Sequence, residues 1–450
     1  MVYMSENDEI LSGSMLKNIL RFVWPLMLAN ILQITFHFAD VMVIGNFVSE
    51  HGLAAVGVTS PITIFFMWGL NGLSMGANVL ISRMIGARDH RRIGKAVYTS
   101  VVIGFLFGLM ISIIGVILAE AILKILSTPA DILADATLYL RIYFLSGIAI
   151  GAFDFAAAVL RASGDSKNPT VFLAVSGVIN VLLNILFVVV FRMSVAGVAA
   201  ATVISQSIAA FLAVRKLKSE DNLIHLELNR ENFDPELFKE ILSIGIPSAL
   251  QNQLFSFSNM IIQTSLNSFG STFLAANTAA NAIEEYVYVF VDAFPQASLT
   301  FTSQLYGARR YKEIKRLLII DQLLCGIGAF AIGAIIVLNG EYLLSFLTDE
   351  PEVIAMGMYR LRYVTIFLFL NGLLDVVVNS IRGMGLSNLP TIITLFGVCG
   401  FRILYIYTVF QKIHTPASLY LCFPLSWSIT TIAQLLLWIR VYNRLIEENG

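Results

Sequence analysis

The residues most able to do chemistry in this 450-residue chain are polar side chains stranded in apolar sequence. Asp40 lies in FHFADVMVIG, with no basic residue nearby in sequence. Asn180 and Asn184 lie in an equally apolar stretch, and Thr202 follows in a third. Asn180 and Asn184 are spaced i, i+4, so on a helix they share one face. A carboxylate, two amides and a hydroxyl are hard oxygen donors suited to Na⁺, and a lone buried Asp is equally suited to taking up a proton. The alternative reading of Asn180, Asn184 and Thr202 is interhelical hydrogen bonding without ion chemistry. Asp40 fits that reading less well, because a charge costs more to bury than an amide.

Those residues need elements that hold them at one level, and the composition says what the elements are. The chain is 57% hydrophobic and only 13% charged, with a mean hydropathy of +0.79. A soluble domain is nearer a quarter charged. The surplus apolar surface must face lipid. Stretches long enough to cross a bilayer fall near residues 20–46, 54–82, 96–126, 136–160, 170–191, 196–214, 241–267, 274–303, 317–347, 354–381, 391–411 and 417–439. The expected fold is therefore an all-α integral membrane protein of twelve transmembrane helices. Pro25, Pro61, Pro247 and Pro295 are candidate kinks or helix starts.

Charge sets the orientation. With the N-terminus cytoplasmic, the inside segments hold 22 of the 29 lysines and arginines. Both termini are then expected in the cytoplasm, in a plasma (inner) membrane. Residues 1–17 have neither a basic start nor a small-residue cleavage site, so no signal peptide is expected. At 1.5 Å per residue, Asp40 lies ~24 Å above the inner interface, Asn184 and Thr202 ~21 Å, and Asn180 ~15 Å.

The chain repeats itself. SRMIGAR (82–88) resembles SQLYGAR (303–309), and LRASGDSKNPT (160–170) resembles IRGMGLSNLPT (381–391). Arg88/Arg309, Arg141/Arg362, Asp154/Asp375, Arg161/Arg382 and Pro169/Pro390 all share an offset of 221. The expected organisation is a six-helix lobe over 1–218, a cytoplasmic linker over 219–240 and a second six-helix lobe over 241–450, the two pseudo-symmetric. Repeats of six spans have the same orientation. Transporters built this way bind substrate between their halves and rock them.

The second half does not repeat the polar set: Phe401 and Tyr405, beside Arg402, stand where Asn180 and Asn184 stand in the first. It offers Glu284 and Glu285 instead, as a possible second site, or as a carboxylate paired with Arg402 or lining a wet cavity. Asp154 and Asp375 match across the halves and read as structural residues at inner helix ends. Phe38, Met42, Phe153, Phe155 and Phe257 are candidates for an adaptable apolar cavity, though most such residues face lipid or pack helices. Cys325, Cys399 and Cys422 lack metal-ligand spacing. No HExxH, GxSxG or Walker loop is present, so no enzyme is expected. With no ATP site, transport would draw on an ion gradient or on the substrate's own. A net charge of −1 points to no nucleic-acid partner.

Asp40-Val-Met-Val-Ile-Gly, SRMIGAR, LRASGDSKNP, Asn180-x-x-x-Asn184 and Gly197-x-Ala-x-Ala-Thr202 together resemble the multidrug and toxic compound extrusion (MATE) family, over essentially the whole chain. The resemblance implies a V-shaped pair of six-helix lobes working by alternating access. It implies secondary active export of small cationic or amphipathic drugs against H⁺ or Na⁺ influx, with no cofactor, from a monomer among membrane lipids. It places the ion at Asp40, Asn180, Asn184 and Thr202, Na⁺ included. Two departures matter. Position 184 is Asn where some members have Asp, and Gln253 and Phe255 lie where another branch has a Glu in its second lobe. The rival readings are a flippase of a lipid-linked or amphipathic precursor, and a non-transporting membrane scaffold.

Overall fold

The computed structural model describes residues 13–48, 50–219 and 224–449. The acidic N-terminal residues Glu6, Asp8 and Glu9, and residues 220–223 of the linker, lie outside the described residues. Apolar residues outnumber polar ones along nearly every segment, and helices satisfy each backbone polar group within the segment. The protein is accordingly all α, with no strand among the described residues. The helices are α1 (Met15–Phe47), α2 (Glu50–Gly86), α3 (His90–Ile125), α4 (Leu133–Phe144), α5 (Gly147–Ala162), α6 (Lys167–Asn184) and α7 (Ser194–Leu217). The second half adds α8 (Pro235–Asn267), α9 (Ser271–Gly307), α10 (Tyr311–Leu338), the short α11 (Gly340–Ser345), α12 (Pro351–Tyr363), α13 (Leu368–Gly383), α14 (Asn388–Thr394), α15 (Phe401–Tyr405) and α16 (Pro416–Asn449).

Among the described residues, nine spans are long and apolar enough to cross a membrane, and α4 with α5, bent by 41°, makes ten. The other two rods, α8 and α9, run 33 and 37 residues. They carry the polar residues Gln251, Asn252, Asn277, Asn281, Glu284 and Asp292, which lowers their hydropathy but not their reach. A twelve-rod layout results. Pro25, Pro61, Pro247 and Pro295 all lie inside continuous helices.

The backbone repeats at the offset seen in the sequence. Helices begin at Glu50 and Ser271, at His90 and Tyr311, and at Lys167 and Asn388. Helix α2 ends with Arg88 at φ 56° and α9 with Arg309 at φ 56°, both in the left-handed region. In both, the chain turns by the same pair of bonds: Arg88 N–H to Ile85 O with Asp89 N–H to Met84 O, and Arg309 N–H to Tyr306 O with Arg310 N–H to Leu305 O. Gly164 and Gly385 cap α5 and α13 in the same way, at φ 91° and 101°. Wide helical turns follow suit at Ile185–Val190 and Ile406–Phe410.

The chain forms two compact units, Leu28–Ala249, and Met1–Met27 with Leu250–Gly450. Both boundaries fall inside helices, in α1 and in α8. In the Leu28–Ala249 unit, Gly104 and Gly108 of α3 lie against Gly151 and Gly147 of α5, so closely that any Cβ would strike the opposite backbone. Ser82 and Asn78 of α2 bond to the carbonyls of Ala162 and Ala158. The core centres on Ile81, Ile103, Phe155 and Leu160. The linker is tied down at Ile224 and Leu226, which join that core, while Asp234 N–H donates to Thr99 Oγ1 at 3.2 Å. In the other unit, Ile19, Phe22, Val23 and Leu26 of α1 pack on Phe294, Phe301 and Leu317. A second cluster there gathers Trp427, Tyr420 and Phe410.

Candidate functional site

Within the Leu28–Ala249 unit, α1, α6 and α7 bring the predicted polar residues together. Gly177 makes the approach possible. A Cβ there would occupy the ring of Phe36, so glycine provides the seat into which α1 presses. Phe36 and Asp40 are four residues apart, and Gly177 precedes Asn180 and Asn184 by three and seven. Seating Phe36 on Gly177 therefore sets Asp40 opposite the two amides.

Asn184 Nδ2 donates to Asp40 Oδ1 at 2.5 Å. Asn184 Nδ2 also lies 3.2 Å from Asn180 Oδ1. Asn180 Nδ2 donates to Ser205 Oγ of α7 at 3.3 Å. In this setting the amide oxygen of Asn180 faces Asp40 at 2.8 and 3.2 Å. Turned over, Asn180 donates to both Asp40 oxygens, and its oxygen accepts from Ser205 Oγ at 3.3 Å. The turned-over orientation is the one that gives both ends of the amide a suitable partner.

Asn184 is fully buried, and its Oδ1 has no hydrogen-bond partner. Among the described residues no Lys or Arg forms an ion pair with Asp40. Tyr139 stacks on Tyr143. No group of three His, Cys, Asp or Glu able to hold a metal occurs among the described residues. A cation here would have to use Asp40 and the amide oxygens, and the orphaned Asn184 Oδ1 fits that donor set.

The Thr202 side chain does not join this network, although Thr202 O accepts from Ser205 Oγ at 3.0 Å. Its hydroxyl donates to Val198 O, one turn back on its own helix, at 3.1 Å. Ser205, three residues on, holds Asn180 instead, and its carbonyl accepts from Ser176 Oγ at 2.7 Å. Ser205 escaped the sequence reading because a serine in a transmembrane helix usually bonds to its own backbone. Its place one turn from Thr202 was the available signal.

The carboxylates of the second half behave differently. Glu284 pairs with Arg360, not with the Arg402 expected from sequence. The pair is bidentate, at 2.9 and 3.1 Å, and Thr365 Oγ1 donates to Glu284 at 3.0 Å. Arg360 also donates to Asn277 and Asn281, each at 2.8 Å. Both carboxylate oxygens of Glu284 are thereby engaged. Glu285 is exposed. Arg402 instead donates to Ser426 Oγ at 3.0 Å and Asn259 Oδ1 at 3.2 Å, with its guanidinium over Phe423 at 4.5 Å. Ser426 is the repeat partner of Ser205, so the same hydroxyl position holds an amide in one half and a cation in the other.

Asp375 accepts from Asn371 at 3.1 Å, and Arg382 donates to Gln251 Oε1 at 2.8 Å. Of the candidate cavity residues, Phe153 and Phe155 are core residues packed between helices, which corrects the expectation for both. Phe38, Met42 and Phe257 are exposed.

The MatE family model matches the chain twice, over residues 25–186 and 247–408. The probable multidrug resistance protein YpnP of Bacillus subtilis (strain 168) is 31% identical over 375 residues, 83% of each chain. The multidrug export protein MepA of Staphylococcus aureus (strain MSSA476) is 22% identical over 385 residues, 84% of each. A crystal structure of MATE in the bent conformation superposes with a TM-score of 0.91 at 20% identity, over 99% of both chains. The outward-facing conformation of a multidrug resistance MATE family transporter of the MOP superfamily gives 0.90 at 20% identity, over 99% of this chain and 100% of that one. At that identity the likeness is one of fold.

Proposed function

The chain belongs to the MatE family of membrane transporters, and from that premise we propose that it exports small amphipathic or cationic drugs by alternating access, in exchange for protons taken up at Asp40. As a multi-pass protein of the cell membrane it would have both termini in the cytoplasm, which the 22 of 29 basic residues on one side support. The drug class rests on the names of its relatives, YpnP and MepA.

The observation that carries the ion reading is Asp40 itself, an acid inside the helix bundle that accepts from Asn184 Nδ2 and forms no ion pair with a Lys or Arg among the described residues. On the outer side Asp40 takes up a proton, and Asn180 presents its oxygen to it. A neutral Asp40 no longer attracts a cationic substrate, and the substrate leaves. On the inner side Asp40 loses the proton, Asn180 turns its nitrogen to the carboxylate, and the site is ready for the next substrate. Asn184 donates throughout and keeps Asp40 in register. Because α1 meets α6 through Phe36 on Gly177, a change at Asp40 is felt along α1.

The test uses wild type and Asp40→Asn, reconstituted into liposomes with a fluorescent cationic substrate. A proton gradient imposed without Na⁺ should drive transport by wild type, and the variant should fall to the leak rate. If only a Na⁺ gradient drives wild type, the ion at this site is Na⁺. If Asp40→Asn transports as wild type does, Asp40 is not the coupling residue.

A further inference from the structure

The seam between α1, α9 and α10 in the second unit encloses an apolar groove of about 660 Å³ that the ion site does not use. Trp24 and Met27 of α1, Phe290 and Phe294 of α9, and Leu323 and Ile327 of α10 line it. Of these residues Trp24 is 68% and Ile327 66% exposed, whereas Phe294 is buried. Such a volume is on the scale that holds one amphipathic molecule.

The walls change character at one end. On α1, Lys17 precedes Trp24 by seven residues and Arg21 precedes it by three, so the groove face runs into two exposed cations. On α10, Arg316 precedes Leu323 by seven and Lys312 precedes it by eleven, giving the same transition from the same end. A small hollow of about 50 Å³ on this seam is lined by Asn18, Arg310, Glu313 and Arg316. Glu313, an acid at this end, is held by Arg310 at 2.5 and 2.6 Å. The 28-residue helix α10 starts here as well, so its positive end points the same way.

From this juxtaposition we infer that the seam is a binding site for an anionic phospholipid, whose acyl chain fills the groove beside Trp24 and whose phosphate meets Lys17, Arg21, Lys312 and Arg316. The basic end repels a cationic drug, and a zwitterionic lipid gains less from it. Basic residues beside a membrane helix select anionic headgroups in this way. An indole at the boundary between apolar groove and charged rim suits an interfacial tryptophan. The site is separate from the proposed ion site and does not depend on the coupling ion.

Trp24 is itself the probe. The full-length protein is placed in bilayers containing increasing fractions of brominated phosphatidylglycerol or brominated phosphatidylcholine, and its fluorescence is compared with that of Trp24→Phe to isolate the Trp24 signal. Brominated phosphatidylglycerol should half-quench Trp24 at about one tenth the mole fraction that phosphatidylcholine requires, given the strength of such headgroup contacts. The exposed quadruple variant K17Q/R21Q/K312Q/R316Q should quench equally with both lipids. Equal quenching of wild type by the two lipids would overturn the proposal. So would a preference that survives the quadruple variant, or displacement of the brominated phosphatidylglycerol by tetraphenylphosphonium, which would make the groove a drug site.

Discussion

Replacing Arg360 alone should destabilise the protein far more than replacing Arg360 and Glu284 together. Arg360 makes two bonds to Glu284 and one each to Asn277 and Asn281. Glu284 is 1% exposed, so Arg360→Met leaves its carboxylate in an apolar core with Thr365 as its remaining donor. Removing one member of a buried pair costs about 3–5 kcal/mol. Neutral interhelical hydrogen bonds in membranes average about 0.6 kcal/mol, which favours the lower end of that range. A loss of about 3 kcal/mol is somewhat over a hundredfold in the folding equilibrium. In R360M/E284L both charges are gone, and Tyr420 still donates to Asn277 at 2.9 Å. Such replacements are often neutral or better. Cys325, Cys399 and Cys422 are all buried, so a thiol-reactive dye reports thermal unfolding in detergent without further labelling. Arg360→Met should lower the midpoint sharply, the double variant should restore most of it, and the double variant should still transport in liposomes. An Arg360→Met protein as stable as wild type would refute the energetic argument. A stable double variant that has lost proton-driven transport would show that the pair takes part in ion chemistry.

Two further outcomes follow from the geometry around Asp40. Gly177→Ala should collide with Phe36 and push α1 off α6, at a cost of about 1–3 kcal/mol; transport should fall, and Phe36→Leu in the same chain should recover part of it. Ser205→Ala should shift the pH profile of transport, because Asn180 loses its partner on α7, whereas Thr202→Val should leave that profile in place, its hydroxyl being engaged with Val198. Equal effects of the last two substitutions in a transport assay over pH would sink the assignment of Ser205.

Much of the architecture was legible in the linear order of residues. Hydropathy marks the helices because lipid admits few other solutions for the backbone. The offset of 221 marks the duplication, and the paired left-handed turns at Arg88 and Arg309 and at Gly164 and Gly385 carry it into the backbone. Asp40 stood out because a charge in apolar sequence is costly. Asn180 and Asn184 stood out because four residues make one helical turn. What the order could not show is which neighbour a side chain meets across a helix interface. Glu284 and Arg360 are 76 residues apart, and Arg402 looked as suitable a partner until packing placed it over Phe423. Phe153 and Phe155 resembled cavity residues by type but are walled in by neighbouring helices.

The order of residues alone implies a helical membrane protein of two related halves, with its lone span-1 acid in the first half and no counterpart in the second. How that acid is held depends on packing. Helical periodicity specifies the face a residue occupies but not the rotation and depth at which two helices meet. Those depend on which small residue accepts which large one. Here the ring of Phe36 on Gly177 sets the depth, and Ser205 rather than Thr202 faces Asn180. The asymmetry was written in the residues, and the hydrogen bonds that hold Asp40 were made by packing.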